Sequence, residues 1–145
     1  MKKTIAIILV ILCVVSIFAY FYVKNVQLEK KQVSKFNAEY ESYNTDKILN
    51  GLDITTLINK ATSNNEKYEI SKDEEGYYIL DDKYSIEIYI TMIINEKNYK
   101  MERINALGMN AFIEYFGPVG FKCTNVEYHE STGRIASMTF EATEY

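Results

Sequence analysis

The sequence predicts an α+β protein: a transmembrane helix running into a long amphipathic helix, a second short helix, and an antiparallel sheet of five to six strands ending in a carboxyl-terminal hairpin. Three observations carry this. An uncharged apolar run fills residues 4–23, an apolar stripe recurs at helical spacing as far as Tyr43, and residues from Tyr84 to Met92 alternate between an apolar face and a more polar one. With 145 residues there is room for one folded domain beside the apolar run. The expected divisions are a short tail at 1–3, the membrane helix at 4–23, the juxtamembrane amphipathic helix at 24–50 and an α+β domain at 51–145.

The run Thr4–Val23 contains twenty residues, thirteen of them Ile, Leu, Val or Phe. At 1.5 Å per residue it spans roughly 30 Å, the thickness of a bilayer's hydrocarbon core. Tyr20 and Tyr22 fall where amphipathic rings settle among lipid headgroups. A cleaved signal peptide would have a shorter core and a small-x-small site after it. The nearest candidate, Ile17-x-Ala19, is still inside the run, so an uncleaved anchor is expected. Leu12 precedes Cys13 where a lipidation signal wants a small residue, and Cys13 reads as an ordinary helix-surface residue. Lys2 and Lys3 before the run suit a cytoplasmic amino terminus, although Lys24, Lys30, Lys31 and Lys35 follow it closely. The expected arrangement is a single-pass protein of the cell membrane with its domain outside the cytoplasm.

Charge and composition then exclude several classes. Six Gly and one Pro rule out collagen-like and low-complexity chains. Two cysteines, Cys13 and Cys123, do not make a disulfide-stapled scaffold. Lys2 and Lys3 are the only charges before Lys24, so the remaining chain carries 14 basic and 20 acidic residues. No basic stripe for nucleic acid is present. The cluster Lys30, Lys31 and Lys35 reads as a solvated face beside lipid headgroups.

From Lys24 the chain continues as a helix to about Asp46, free of Gly and Pro. Val26, Val33, Phe36, Tyr40 and Tyr43 recur at 7, 3, 4 and 3, a heptad-like stripe. These five residues form the candidate interaction face, packing either on the protein's own sheet (the commoner case) or on a neighbouring copy. Asn50-Gly51 breaks this helix, and Asp53 reads as the N-cap of a second helix, Ile54–Ser63, ended by Asn64-Asn65. Strands are expected at Lys67–Lys72 and Tyr77–Leu80 around the turn Asp73-Glu74-Glu75-Gly76. The clearest strand follows. Tyr84, Ile86, Ile88, Ile90, Met92 and Ile94 should face a core, and Ser85, Glu87, Tyr89 and Thr91 the other side. Asn95–Asn98 should turn the chain into a strand at Tyr99–Ile104, and Gly108–Phe116 should be a short helix stopped by Gly117-Pro118. A last hairpin pairs Phe121–His129 with Arg134–Ala142 around Glu130-Ser131-Thr132-Gly133.

Little in the sequence points to catalysis. His129, the single histidine, lies six residues from Cys123, roughly 20 Å along a strand, too far for a nucleophile–base pair. One His and one domain Cys do not make a zinc site. The turn acids Asp73, Glu74, Glu75, Asp81 and Asp82 could meet a hard cation, but they match no EF-hand spacing and read as solvated turns. There is no glycine-rich phosphate loop and no nucleophile elbow. The 13 tyrosines, several of them on the sheet, weakly favour a partner surface.

A transmembrane helix running into a long amphipathic helix and an antiparallel sheet resembles the layout of type IV pilin-like subunits, and the resemblance implies self-assembly through the amino-terminal helix. Phe36–Tyr40, Gly51, Thr56–Ile58 and Asn64-Asn65 also resemble a pattern in small bacterial membrane-anchored proteins. The expected role is assembly or partner binding without enzymatic activity or cofactor, with the lipid bilayer and a further copy or another envelope protein as partners. The alternative is a membrane-tethered sensor or ligand-binding module.

Overall fold

The computed structural model describes residues 2–92 and 98–143. The chain forms two compact units, Met1–Lys35 and Phe36–Tyr145. The first is the greater part of one 40-residue helix, α1 (Lys2–Glu41). Its described large apolar side chains from Ile5 to Val23 are 45–72% exposed. This stretch is apolar on all sides of the helix. Over its best 18 residues the mean hydropathy is 2.9, so α1 is long and apolar enough to cross a membrane.

The second unit is α+β. After the last turns of α1 come α2 (Gly51–Lys67), β1 (Glu87–Thr91), β2 (Asn98–Lys100), α3 (Met101–Leu107), α4 (Met109–Phe116), β3 (Phe121–Tyr128) and β4 (Ile135–Ala142). The four strands make one mixed sheet, ordered β2-β1-β4-β3. The β1–β2 and β3–β4 pairs are antiparallel, and β1 runs parallel to β4, with Glu87 opposite Ser137 and Thr91 opposite Glu141. The core gathers Ile54, Leu57 and Ile58 of α2, Ile88 and Ile90 of β1, Met138 and Phe140 of β4, with Phe112 and Phe121.

This corrects the expectation of five or six antiparallel strands. A parallel neighbour needs a crossover, and the α3–α4 segment with β3 supplies it, bringing the chain back so that β4 enters between β1 and β3. Lys67–Lys72 and Tyr77–Leu80 are not sheet strands. Lys67 ends α2, and the 70s form a small hairpin held by one bridge, Lys72 to Tyr78, and by Ile79 N–H donating to the Ser71 carbonyl at 2.8 Å. The expected strand Tyr99–Ile104 stops at Lys100. Met101 and Ile104, both buried, are three residues apart, the spacing of a helix face, and the chain turns into α3. Residues 93–97, with Ile94 and most of the Asn95–Asn98 turn, lie outside the described residues.

Helix α2 also differs at both ends. Its N-cap is Asn50, whose side chain accepts from the Leu52 and Asp53 amides, while Asp53 reaches back to the Asn50 amide in a capping box. Gly51 lies against the backbone of Phe116 and Gly117, where a Cβ would collide with the Phe116 carbonyl. At the other end, Asn64-Asn65 does not stop the helix. Asn65 is fully buried, and its side chain donates to the Ile86 carbonyl and accepts from the Ile86 amide, both at 2.8 Å. The helix closes at Tyr68, followed by Glu69 in the left-handed region at φ 54°.

Candidate functional site

The stripe residues do not share one environment. Tyr40 is 1% exposed inside the core of the second unit, and Phe36 and Tyr43 are half-buried against that core. Burial pushes the Tyr40 and Tyr43 hydroxyls up from their ordinary values. Asn37, between them, donates to the Gly133 carbonyl at 2.8 Å and accepts from the Ile135 amide at 3.0 Å. Lys60 of α2 bonds to Glu39 and lies over the Tyr40 ring. The lower stripe therefore packs on the protein's own domain. Val26 and Val33 belong to the first unit and are half-buried there, with Leu28 beside them 49% exposed.

The residues first tested for chemistry have structural roles. His129 is buried, and its Nε2 donates to the Ser85 carbonyl at 2.7 Å. Cys123 is half-buried against the core, and burial pushes its thiol up, away from the reactive thiolate. Asp73 Oδ1 accepts from the Glu75 and Tyr77 amides. Asp81 Oδ1 accepts from the Lys83, Tyr84 and Ser85 amides. Burial works to raise the Asp81 carboxyl, but these bonds outweigh it and hold it below the ordinary range. Both acids organise turns. Among the described residues no group of three or more His, Cys, Asp or Glu side chains could hold a metal ion.

The unusual site lies elsewhere, where β1, the start of α3 and the 70s hairpin meet. Glu87, on the strand face expected to be solvated, is 0% exposed, and Glu102 in the first turn of α3 is 8% exposed. Glu87 Oε1 accepts from the Met101 amide at 3.3 Å, and Glu102 Oε1 from the Tyr78 amide at 2.8 Å. The second oxygen of each carboxyl and the Tyr78 hydroxyl are buried without a protein donor or acceptor assigned to them. Burial first, then the neighbouring Glu102, pushes the Glu87 carboxyl up to about 8, against a smaller downward pull from the Met101 amide and Lys100. Tyr78 is raised by burial and by Glu66, Glu102 and Glu87, and Tyr89 by burial and by Glu87, Glu127 and Glu102. Glu102 also lines a groove of about 440 Å³, with Lys72, Tyr77, Arg103 and Asn105 on its walls.

Period-2 alternation hides this pair, because it sends Glu87 to the outer face with Ser85 and Tyr89. The available signal was a lone carboxylate within Ile86–Ile90, a strand otherwise carrying no charge.

These features define a class: a small α+β domain with a mixed four-stranded sheet, preceded by a helix long and apolar enough to span a bilayer. Compared with known protein families, curated proteins and solved structures, the chain matches none.

Proposed function

We propose that the protein is a single-pass membrane protein whose extracytoplasmic α+β domain serves assembly or partner binding and does no catalysis. The observation that carries the reading is α1, long and apolar enough to cross a membrane, whose described large apolar side chains from Ile5 to Val23 are exposed. Lipid removes that cost at about 25 cal/mol per Å² of apolar surface. The engagement of His129 and the raised thiol of Cys123 support a non-enzymatic role.

Self-assembly of a pilin-like kind is the more specific form of this proposal. Its support is a layout in which one helix is apolar at its start and embedded in the domain's own core from Phe36 onward. No Gly precedes Gly51 and the first acid is Glu29, so a contact between copies would draw on Val26, Leu28 and Val33 instead of an intramembrane charge. Crosslinking of the intact protein in cells tests it. A ladder at multiples of the roughly 17 kDa chain, lost in Val26→Glu plus Val33→Glu, is expected. A monomer band alone would overturn self-assembly, and one fixed heteromeric band would redirect the reading to a separate partner. Phe36 and Tyr40 are unsuitable for this test, because glutamate there would enter the core.

The second reading, a membrane-tethered sensor or ligand-binding module, is favoured by one observation: a buried pair of acids beside an open groove, an arrangement that stability alone does not call for.

A further inference from the structure

Glu87 and Glu102 are buried carboxyls of one cluster: Glu87 accepts from the amide of Met101, the residue before Glu102, Glu102 accepts from the Tyr78 amide, and the second oxygen of each has no protein donor. Two buried carboxyls in one cluster disfavour joint ionisation, and a proton on one of them supplies the donor that the two unpartnered oxygens lack. Among the described residues neither acid has an ion-pair partner. Lys100 acts on Glu87 only at a distance, Lys72 Nζ lies over the Tyr78 ring at 4.4 Å, and Arg103 lines the groove. Lys100 of β2 acts on Glu87, and the pair acts on Tyr78 of the hairpin and Tyr89 of β1, which also feel Glu66 at the end of α2 and Glu127 of β3 respectively. Two of these are further acids.

The pair also does mechanical work. Glu102 is the acceptor for the Tyr78 amide, and that bond ties the Ser71–Ile79 hairpin to α3. The hairpin is bonded to itself by a few hydrogen bonds and, among the described residues, joins no strand of the sheet. Glu102 has a way out, because it lines the groove whose walls carry Lys72 and Arg103.

We infer that the Glu87–Glu102 pair is a proton-operated latch: with one proton shared it holds the 71–79 hairpin on β1 and α3, and without that proton it lets the hairpin go and opens the groove. On release the proton passes to solvent through the groove, Glu102 turns toward Lys72 and Arg103, and the Tyr78 amide loses its acceptor. No covalent bond changes. The latch belongs to the second unit alone and does not depend on whether α1 spans a membrane or on which partner the protein has.

Hydrogen exchange of the full-length chain in detergent micelles, read by mass spectrometry and corrected for intrinsic rates, tests the latch between pH 5 and 8.5. Release of one proton on opening predicts that protection of peptides covering 72–80 falls roughly tenfold per pH unit across the titration. At every pH this protection should stay below that of α2 peptides covering 54–65, the signature of a local opening. Glu87→Gln and Glu102→Gln each keep a hydrogen-bonding group and remove one ionisation, so each should leave hairpin protection independent of pH. If one variant fails to protect α2 and so fails to fold, the other carries the test. Flat hairpin protection in the unaltered protein would overturn the latch. So would a slope that survives in the folded Gln variants, or equal protection in hairpin and α2, which would mean that the hairpin is exposed only when the whole domain unfolds.

Discussion

The guanidinium carbon of Arg134 lies 3.7 Å from the centre of the Phe36 ring, joining the turn before β4 to the part of α1 that packs on the domain. The same side chain faces the Tyr68 and Tyr84 rings, which stack 4.6 Å apart, and it donates to Asn64 Oδ1 at 3.2 Å. Three segments distant from it in sequence converge on this one cation. Its planar, weakly hydrated head tolerates such a site where an ammonium would not.

Arg134→Lys should therefore destabilise the protein by about 1–2 kcal/mol, and Arg134→Ala by about 2–3 kcal/mol, through lost cation–π and hydrogen-bond contacts and lost packing of the aliphatic stem. Chemical denaturation of the full-length protein in detergent measures this. Equal stability for the arginine and lysine forms would show that the stacking contributes nothing.

Asn65 is a second internal fastener. Removing its amide in Asn65→Ala would strand both the N–H and the C=O of Ile86 in a dry core, with an expected loss of about 2–4 kcal/mol. Asn65→Asp supplies the acceptor but not the donor and introduces a buried charge, so it should be no milder. Thermal unfolding of the two variants, compared with Asn59→Ala elsewhere on α2, isolates the effect.

Glu69 works in the opposite direction. It occupies the left-handed position that ends α2, where the Ile70 amide returns to the Asn65 carbonyl at 2.9 Å, and a side chain there is strained. Glu69→Gly should raise stability by about 0.5–1 kcal/mol, the relief of strain exceeding the added freedom of the unfolded chain. A lower Tm for the glycine variant would contradict the cap assignment.

The pH dependence of overall stability follows from Glu87. Burial and Glu102 raise its carboxyl in the folded state above its value in the unfolded chain. Between those two values the folded state holds a proton that the unfolded chain has lost, so stability falls as pH rises, by at most about 1.4 kcal/mol per pH unit. The contribution is complete below the ordinary glutamate range and gone once pH passes about 8. Melting of the full-length protein should give a higher Tm at pH 5 than at pH 8, with the difference reduced in Glu87→Gln. A Tm that rises over that interval would refute the assignment.

Much of this fold was legible along the chain. The apolar run, the Phe121–Tyr128 and Ile135–Ala142 hairpin with Gly133 at φ 68°, and the helix ending at Phe116 all depend on local rules of length, alternation and turn chemistry. What escaped depends on distant partners. Asn65 reads as a helix stop until Ile86 is seen to bond it on both sides. Glu87 reads as solvated until Met101 and Glu102 are found above it. Met101–Leu107 follows a strand so short that the change of period from two to three comes within a few residues. The parallel pairing of β1 with β4 has no local signature at all, because register between strands fifty positions apart is set by the crossover.

That pairing also bears on the order in which the domain assembles. Every β1 residue from Glu87 to Thr91 is matched to a β4 residue fifty positions later, and β4 is an inner strand. The β3–β4 hairpin can form by itself, since its halves are neighbours in sequence. β1 has to wait, with only three-residue β2 beside it, until residues 137–141 have been made and docked. Contacts this remote slow folding. During synthesis the Ile86–Ile90 strand thus stays unpartnered on its β4 side until almost the whole described chain exists, and that interval is when the domain is most exposed to aggregation.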